Sequence, residues 1–363
     1  MVFPHPFTSR FRVGLLLAIM GEWTPPIWNV AGSTPGLPEV VTKIGWDKFE
    51  ELLIECQPNL LGTSRTIFFS SDGEESKAES DQPGNRNTGR GVSRLSYLPK
   101  IVLCIPGNWP SQEGVKPFLE NSKVEFEFRD HDARMASAFR SCLPHWRSSL
   151  TDADSKAIDS HSSVLYILSG NFPARDAARC SHHLMQVGQQ LLEIGGIGIK
   201  CDSSGNAHSA KHWSELTHEA NAGFRRATDT ASTEENKARG RMTFWQGLFD
   251  AYVALPISDD RNLYSCGLHL LGIPDLIVSN DVLSNTFPGT LNEQALEACN
   301  LFAAFALYLL AECPEDSFQP GNTFRTTATS PRFRVSKEPC TGYEEDDFFF
   351  NPYGRWRFEN GTA

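Results

Sequence analysis

The sequence lacks the cysteine spacings that mark zinc sites and disulfide frameworks. Its nine cysteines are scattered singly, with no CxxC pair and an odd total. A chain of 363 residues is long enough to bury a sizeable core without covalent staples. We therefore predict reduced thiols in a cytoplasmic compartment, with several of the cysteines serving as small core residues.

The sequence also lacks a basic stripe. Its 33 Lys and Arg are outnumbered by 44 Asp and Glu, which gives a formal net charge of -11. No run of Lys and Arg is interleaved with aromatic residues. An acidic molecule repels nucleic acid and anionic membranes, so we expect neither as a partner, whereas a protein with a basic surface is favoured.

No apolar run reaches the roughly 20 residues that a membrane-spanning helix needs. Residues 13–20 form a short apolar run without a small-x-small cleavage pattern after it, which argues against a signal peptide. Residues 296–311 are strongly apolar but contain Asn300 and carry Glu297 and Glu312 at their ends. A buried core helix is the interpretation that we adopt for this second segment.

Composition divides the chain into four parts. Residues 1–69 contain an apolar stretch and an amphipathic segment, and they predict a small appended N-terminal segment. Residues 70–98 have almost no large apolar side chain, which is typical of a solvated polar linker. Residues 99–314 alternate strand and helix signals and predict the main domain. Residues 315–363 form a C-terminal tail.

Within the main domain, short apolar runs at 101–106, 164–168 and 275–279 are typical of strands, and residues 174–194 have the periodicity of a long helix. The polar stretch 228–241 predicts a solvated loop. The later strands are separated by short turns. The sum predicts an α+β fold in which helices pack against one mixed sheet, with one main domain beside the small N-terminal segment.

Turn residues near the C-terminus predict a hairpin. Residues 351–354, Asn-Pro-Tyr-Gly, separate two aromatic runs at 348–350 and 356–358. The acidic run 344–347 precedes the first of them and lacks the spaced oxygen ligands of a calcium loop. We interpret the acidic run as a solvated edge that guards an aromatic strand.

Two histidines, His208 and His212, have the HxxxH spacing that brings two imidazoles onto one helix face, and Asp202 lies just upstream. This pattern leaves a zinc site open. However, it lacks the glutamate of HExxH, and His208 precedes Ser209, a reasonable helix N-cap. We favour the start of a surface helix and expect no bound metal.

A thiol, a glycine and an imidazole occur together in residues 264–269, which include Cys266, Gly267 and His269. A catalytic cysteine needs a base within hydrogen-bond reach, so Cys266 is a candidate nucleophile, but we favour a packed small residue as the simpler interpretation. No GxSxG elbow, GxGxxG loop or P-loop is present. The sequence therefore identifies no catalytic residue and no cofactor.

Two stretches together resemble a known group of sequences. Residues 164–213, with a glycine pair at 195–196, Gly205, His208 and Trp213, resemble uncharacterised bacterial proteins that share domain of unknown function 4261. Residues 264–268 and 271–276 are similar to the Gly-Leu and Gly-x-Pro-acidic signature of that domain. The resemblance implies a bacterial α+β protein without an established activity, so no family residues are carried over.

These motifs also predict a place for a site. Gly205, His208 and Trp213 surround a turn into a helix, and Pro274 presents Asp275 at the start of a strand. If the two spots lie side by side, we expect a groove formed by eight residues: Asp202, Gly205, His208, His212, Trp213, Cys266, Gly267 and Asp275.

Two functions follow as hypotheses. The first is a non-enzymatic binding or interaction protein, of the immunity-protein kind, which sequesters a partner with a basic surface; it is favoured because no complete catalytic constellation is present. The alternative is a hydrolase or metal-assisted enzyme, which requires at least three of the His, Asp and Cys candidates to converge around a pocket.

Overall fold

The computed structural model describes residues 97–142, 149–313 and 317–361. The predicted N-terminal segment, residues 1–69, and all but the last two residues of the predicted linker lie outside these ranges. The predicted α+β class with a mixed sheet is confirmed. The described chain forms two sheets, of five and six strands, and the second is mixed.

The first sheet is wholly antiparallel and has the strand order β2-β3-β1-β4-β5. Its strands are β1 (Val102–Gly107), β2 (Glu125–Asp130), β3 (Ser163–Leu168), β4 (Gly198–Cys201) and β5 (Asn206–Ser209). Three short helices lie between β1 and β3 in the chain: α1 (Lys116–Asn121), α2 (Met135–Arg140) and α3 (Asp152–Asp159). The long helix α4 (Ala177–Glu193) follows β3.

Helices cover both faces of this sheet because successive side chains of a strand point to opposite faces. On β1, Leu103 and Ile105 belong to the main core, which includes the buried stripe of α4. Cys104, between them, faces a smaller cluster with Phe139 of α2 and Ile158 of α3. The first sheet is therefore the middle layer of a three-layer arrangement.

The second sheet has the order β6-β7-β8-β11-β10-β9. Its strands are β6 (Ala254–Ser258), β7 (Asn262–Cys266), β8 (Asp275–Ser279), β9 (Thr323–Phe324), β10 (Phe333–Glu338) and β11 (Arg355–Asn360). The remaining helices are α5 (Ala210–Thr228), α6 (Glu234–Tyr252), α7 (Asn280–Thr286) and α8 (Leu291–Leu307). A π-turn, Tyr308–Glu312, extends α8.

The polar stretch 228–241 is not a solvated loop. Helix α6 begins at Glu234, because the Thr233 hydroxyl accepts a hydrogen bond from the Asn236 amide at 3.3 Å. Glu235 and Arg239 pair across one turn at 2.6 Å. Polar residues in the first turns of a helix can face solvent without ending the helix. The prediction of a loop, which relied on polar composition alone, is therefore wrong for residues 234–241.

Residues 317–361, predicted as a tail, complete the second sheet. The predicted hairpin pairing is wrong: β11 pairs antiparallel with β10 and parallel with β8, and residues 348–350 lie outside any strand. Trp356 and Phe358 are buried against α8, where the Phe305 and Phe358 ring centroids are 5.2 Å apart. Burial of these alternating aromatic side chains fixes β11 in the interior of the sheet.

By length and composition, Leu291–Glu312 is apolar enough to cross a membrane, and it is the one such helix in the described ranges. Half of its most apolar window is buried in the body of the protein. Phe302 and Phe305, on its inner face, are fully buried. A core helix meets the same criteria, so the helix is weak evidence for a membrane segment.

Candidate functional site

The turn between β4 and β5 is held by the Ser203 side chain. Its hydroxyl accepts a hydrogen bond from the Val102 amide at 3.0 Å and donates one to the Lys100 carbonyl at 2.8 Å. Gly205 has a φ of 77°, a left-handed conformation that glycine adopts without strain. Asp202, at the start of the turn, forms an ion pair with Lys200. This turn therefore joins β4 to β5 and is bonded to the backbone at the start of β1. The Asp202 carboxylate is engaged in the ion pair with Lys200.

Two side chains of β5 cap the C-terminus of α6. The Asn206 amide nitrogen lies 3.0 Å from the Asp250 carbonyl and 3.2 Å from the Ala251 carbonyl. His208 Nε2 lies 3.0 Å from the same Ala251 oxygen, so this nitrogen carries the proton. The last carbonyls of a helix have no partner within the helix, and these two side chains satisfy them. His208 is therefore bound to backbone.

The HxxxH pair does not form a metal site with its neighbours. The ring centroids of His208 and His212 are 5.2 Å apart, but His208 is buried whereas the His212 side chain is 38% exposed. His212 Nδ1 lies 3.5 Å from a carboxylate oxygen of Glu215. Within the described ranges, no group of three or more His, Cys, Asp or Glu side chains is arranged to hold a metal ion.

Trp213 joins three helices. Its indole nitrogen donates a hydrogen bond to the Met185 carbonyl of α4 at 3.1 Å. Its ring meets the edge of the Tyr252 ring of α6, with centroids 5.9 Å apart. The Tyr252 hydroxyl in turn donates to the Ser181 carbonyl of α4 at 2.7 Å. Trp213 is fully buried, so it is a packing residue of the helical layer.

Gly267 brings the two sequence motifs into contact. It has a φ of 111°, and a Cβ atom placed on it would lie 2.4 Å from the Tyr252 carbonyl oxygen and 2.7 Å from Ser204 Cβ. Only glycine allows so close an approach. The predicted juxtaposition is present, but Ser204, Cys266 and Gly267 are all buried. The motifs meet in a packed contact between the two sheets, not in an open groove.

Asp275 is the centre of a buried hydrogen-bond network. Its Oδ1 accepts hydrogen bonds from the Ser265 hydroxyl at 3.2 Å and from the Leu268 amide at 3.1 Å. Its Oδ2 accepts one from the Asn351 side chain at 2.7 Å. Asp275 is 3% exposed. We call Ser265, Asp275 and Asn351 the Asp275 network; it ties the C-terminal segment to β7 and β8.

Cys266 is not placed as a nucleophile. It is 2% exposed, and burial together with the nearby Asp275 charge raises the pKa of its thiol well above the ordinary value. A thiol that stays protonated and out of contact with solvent is a weak nucleophile. Cys266 is therefore a packed core residue, the simpler of the two interpretations that the sequence left open. No disulfide links the cysteines in the described ranges.

His269, the imidazole that the sequence places near Cys266, is a neighbour of this network. Its Nδ1 lies 3.9 Å from Asp275 Oδ2, beyond hydrogen-bond distance, and neither ring nitrogen has a hydrogen-bond partner in the part of the chain described. Serine, histidine and aspartate thus lie together here. However, the Ser265 hydroxyl bonds to Asp275 rather than to the imidazole, and all three side chains are buried.

Comparisons with known proteins identify no relative. No protein-family model matches this chain, and searches of curated proteins and of solved structures find no match. The resemblance to domain of unknown function 4261 stays a prediction from the motifs.

A loop of acidic and aromatic residues, partly exposed, leads into the Asp275 network. We call residues 343–350, Tyr-Glu-Glu-Asp-Asp-Phe-Phe-Phe, the acidic-aromatic loop. Glu344, Glu345 and Asp346 are exposed, and Phe348 is 45% exposed. The loop ends at Asn351, which the Asp275 network holds. The Asp275 network therefore anchors the C-terminal end of the acidic-aromatic loop.

His182 of α4 gives a prediction about pH. The ring is fully buried beside Asn221, and burial lowers its pKa from 6.5 to about 4. Below pH 6.5 the unfolded chain takes up this proton before the folded protein does. The free energy of unfolding should therefore fall as the pH is lowered from 6.5 to about 4, by about 3 kcal/mol from this group.

Urea unfolding at several pH values measures this effect. A His182→Gln variant keeps a donor for Asn221 and should show a flatter pH dependence than the natural protein. His218→Gln, at an exposed position of α5, is the control for the loss of one histidine. Equal slopes in all three proteins would show that His182 is not the group responsible.

Proposed function

We propose that this protein is a non-enzymatic binding protein of the immunity kind, which acts in the cytoplasm and recognises a protein with a basic surface through the acidic-aromatic loop. The observation that carries the proposal is the exposure of Phe348 within a run of carboxylates. Interfaces are commonly anchored by an aromatic side chain, and complementary charge steers the partner and fixes its orientation.

The backbone of the acidic-aromatic loop is ordered before any partner binds. The Asp347 amide donates to the Glu344 carbonyl at 3.0 Å, and the Phe350 amide donates to the Asp347 carbonyl at 3.0 Å. The Asp347 side chain accepts from the Phe349 amide at 2.9 Å. A loop fixed in this way loses little conformational entropy on binding, which favours affinity.

Aromatic neighbours support the loop on both sides. The Phe350 ring meets the Tyr97 ring at 6.0 Å, and the Phe349 ring meets Tyr343 at 5.7 Å. These two phenylalanines are half-buried, whereas Phe348 between them is exposed. Phe348 is thus the one aromatic side chain of the loop that is available to insert into a partner.

The alternative of a hydrolase or metal-assisted enzyme receives less support. It needs three candidate groups around a pocket. In the described ranges, His208 is engaged with a helix carbonyl, and Cys266 and Asp275 lie in a closed contact. None of the three lines an open cavity.

Site-specific photocrosslinking tests the proposal. A benzoylphenylalanine at position 348 in the full chain should capture one protein of net positive charge in cells that express it. The matched control places the same group at Leu291, which is 78% exposed and far along the chain from the loop. The same adducts from both positions would contradict the proposal.

Titration of the captured partner then measures the contribution of the loop. Phe348→Ala should weaken binding about tenfold or more, and the pair Glu344→Lys and Glu345→Lys should slow association. Leu291→Ala should leave both unchanged. Equal affinity of the Phe348→Ala variant and the natural protein would place the interface elsewhere.

A further inference from the structure

A cleft of about 270 Å³ lies between α8 and the β9–β10 connection. One wall carries Glu297 of α8, and the other carries the hydroxyl-bearing residues of 326–330. Phe287 and Phe333 form an aromatic floor, with ring centroids 6.0 Å apart. Sites for drug-sized ligands usually occupy roughly 300–1,000 Å³, so this cleft fits a single functional group with a short stem.

Hydrogen bonds hold both walls in place. The Gln294 side chain donates to the carbonyls of Phe287 and Gly289, which fixes the segment that leads into α8. In the opposite wall, the Thr327 and Ser330 hydroxyl oxygens are 2.5 Å apart, and the Thr327 hydroxyl accepts from the Ser330 amide at 3.1 Å. The cleft is therefore a formed feature of the fold.

The Glu297 carboxylate is half-buried at this cleft and forms no hydrogen bond or ion pair with any side chain in the described ranges. The arginines of the neighbouring hairpin do not line the cleft; Arg325 donates to the Ala328 carbonyl instead. A partly desolvated carboxylate without a counter-charge attracts a cation. The net charge of -11 strengthens this preference.

The rest of the lining narrows the class of cation. One carboxylate is too few for calcium, which takes six to eight oxygen ligands, and an anionic ligand is repelled by Glu297. The threonine and serine oxygens can accept hydrogen bonds from N–H donors, and a phenylalanine face attracts an alkyl stem and a positive charge. We infer that this cleft binds an alkylammonium or guanidinium group.

The cleft and the acidic-aromatic loop adjoin opposite ends of β10. Phe333, the first residue of β10, forms part of the floor of the cleft, and the chain enters the loop after Glu338, the last residue. The six residues of β10 span about 17 Å, with a rise of 3.3–3.4 Å for each step along the strand. The ligand is either a free small amine or a Lys or Arg side chain of a protein, and this inference does not depend on the loop's partner.

NMR titration of the full chain tests the inference, with n-butylammonium and N-butylguanidinium as probes. We expect backbone amide shifts confined to residues 287–297 and 324–333, with a dissociation constant on the order of 1 mM for ligands of so few atoms. n-Butanol and butyrate, which have the same stem without the positive charge, should cause no such shifts. Glu297→Gln should weaken binding at least about tenfold.

The matched control is Glu120→Gln, the same charge change at an exposed site of α1, which should bind as the natural protein does. A capped peptide with one lysine separates the two sources. Binding of the peptide and of butylammonium indicates a side-chain pocket, and binding of butylammonium alone indicates a small-amine site. Absence of cleft shifts with both cations, or equal affinity of Glu297→Gln, would overturn the inference.

Discussion

Replacing Gly223 with leucine is expected to destabilise the protein by about 3 kcal/mol or more. Gly223 of α5 lies against α6, where a Cβ atom would be 2.3 Å from the Phe244 nitrogen and 2.8 Å from the Gly240 carbonyl oxygen. These are backbone atoms, which cannot move aside as a flexible side chain can. A leucine must therefore push the two helices apart and break the packing around Trp245 and Trp213.

Urea unfolding followed by circular dichroism measures the loss as a lower midpoint. The control is the same substitution at Gly114, where nothing lies within 4 Å of the added Cβ, and we expect a change within about 0.5 kcal/mol. A Gly223→Leu midpoint equal to that of the Gly114→Leu variant would contradict the close contact between α5 and α6.

The second large effect is expected for Asp275→Ala. Removing the carboxylate leaves the buried Ser265 hydroxyl and Leu268 amide without an acceptor, and the Asn351 side chain keeps only the Ile273 carbonyl as an acceptor. Each such buried group costs about 1–3 kcal/mol, and the effects are not additive, so we expect a loss on the order of 4 kcal/mol. The acidic-aromatic loop should also become more mobile because Asn351 loses the shorter of its two side-chain donor bonds.

Unfolding midpoints and protease sensitivity of residues 343–350 measure the two effects. Asp260→Ala removes an exposed carboxylate from the β6–β7 turn, at the opposite end of β8 from Asp275, and should change neither. Asp275→Asn, which keeps one acceptor oxygen, should lose less stability than Asp275→Ala. An Asp275→Ala protein as stable as the Asp260→Ala protein would show that the Asp275 network does not hold the second sheet and the loop together.

Local patterns in the sequence predicted several elements well. The apolar runs at 164–168 and 275–279 are strands, and the periodic stretch 174–194 contains α4. Ser209 is the N-cap of α5, with its hydroxyl accepting from the His212 amide at 3.2 Å. These features depend on neighbours within a few residues, which a single sequence displays directly.

Local sequence patterns do not predict which strands pair over long distances in the chain. The partners of β11 are β10, with 16 intervening residues, and β8, about 80 residues earlier in the chain. Asn206 was missed for the same reason, since its role as a cap depends on the end of α6, 44 residues later. No local spacing encodes such contacts.

For the candidate groove, too, the sequence indicates the individual residues but not their long-range contacts. Gly205, Gly267 and Asp275 stand out in the sequence because their backbone and hydrogen-bond roles are demanding, and the structure places Gly267 and Asp275, but not Gly205, at one contact between the sheets. Whether such residues line a cavity or fill a core depends on what covers them. Tyr252, Ser204 and Asn351 provide that cover, and the sequence does not show that these residues contact the motifs.

Amide hydrogen exchange at Leu268 and Leu276 tests most directly whether these motifs form a closed junction. Both amides donate to side chains of the Asp275 network, Leu268 to Asp275 at 3.1 Å and Leu276 to Ser265 at 2.8 Å. A closed junction predicts exchange as slow as that of Val278 in the core, requiring an opening close to global unfolding. Exchange as fast as that of exposed Glu345 would mean that solvent reaches Ser265, His269 and Asp275. That result would contradict the closed junction and would favour a reactive centre at these residues.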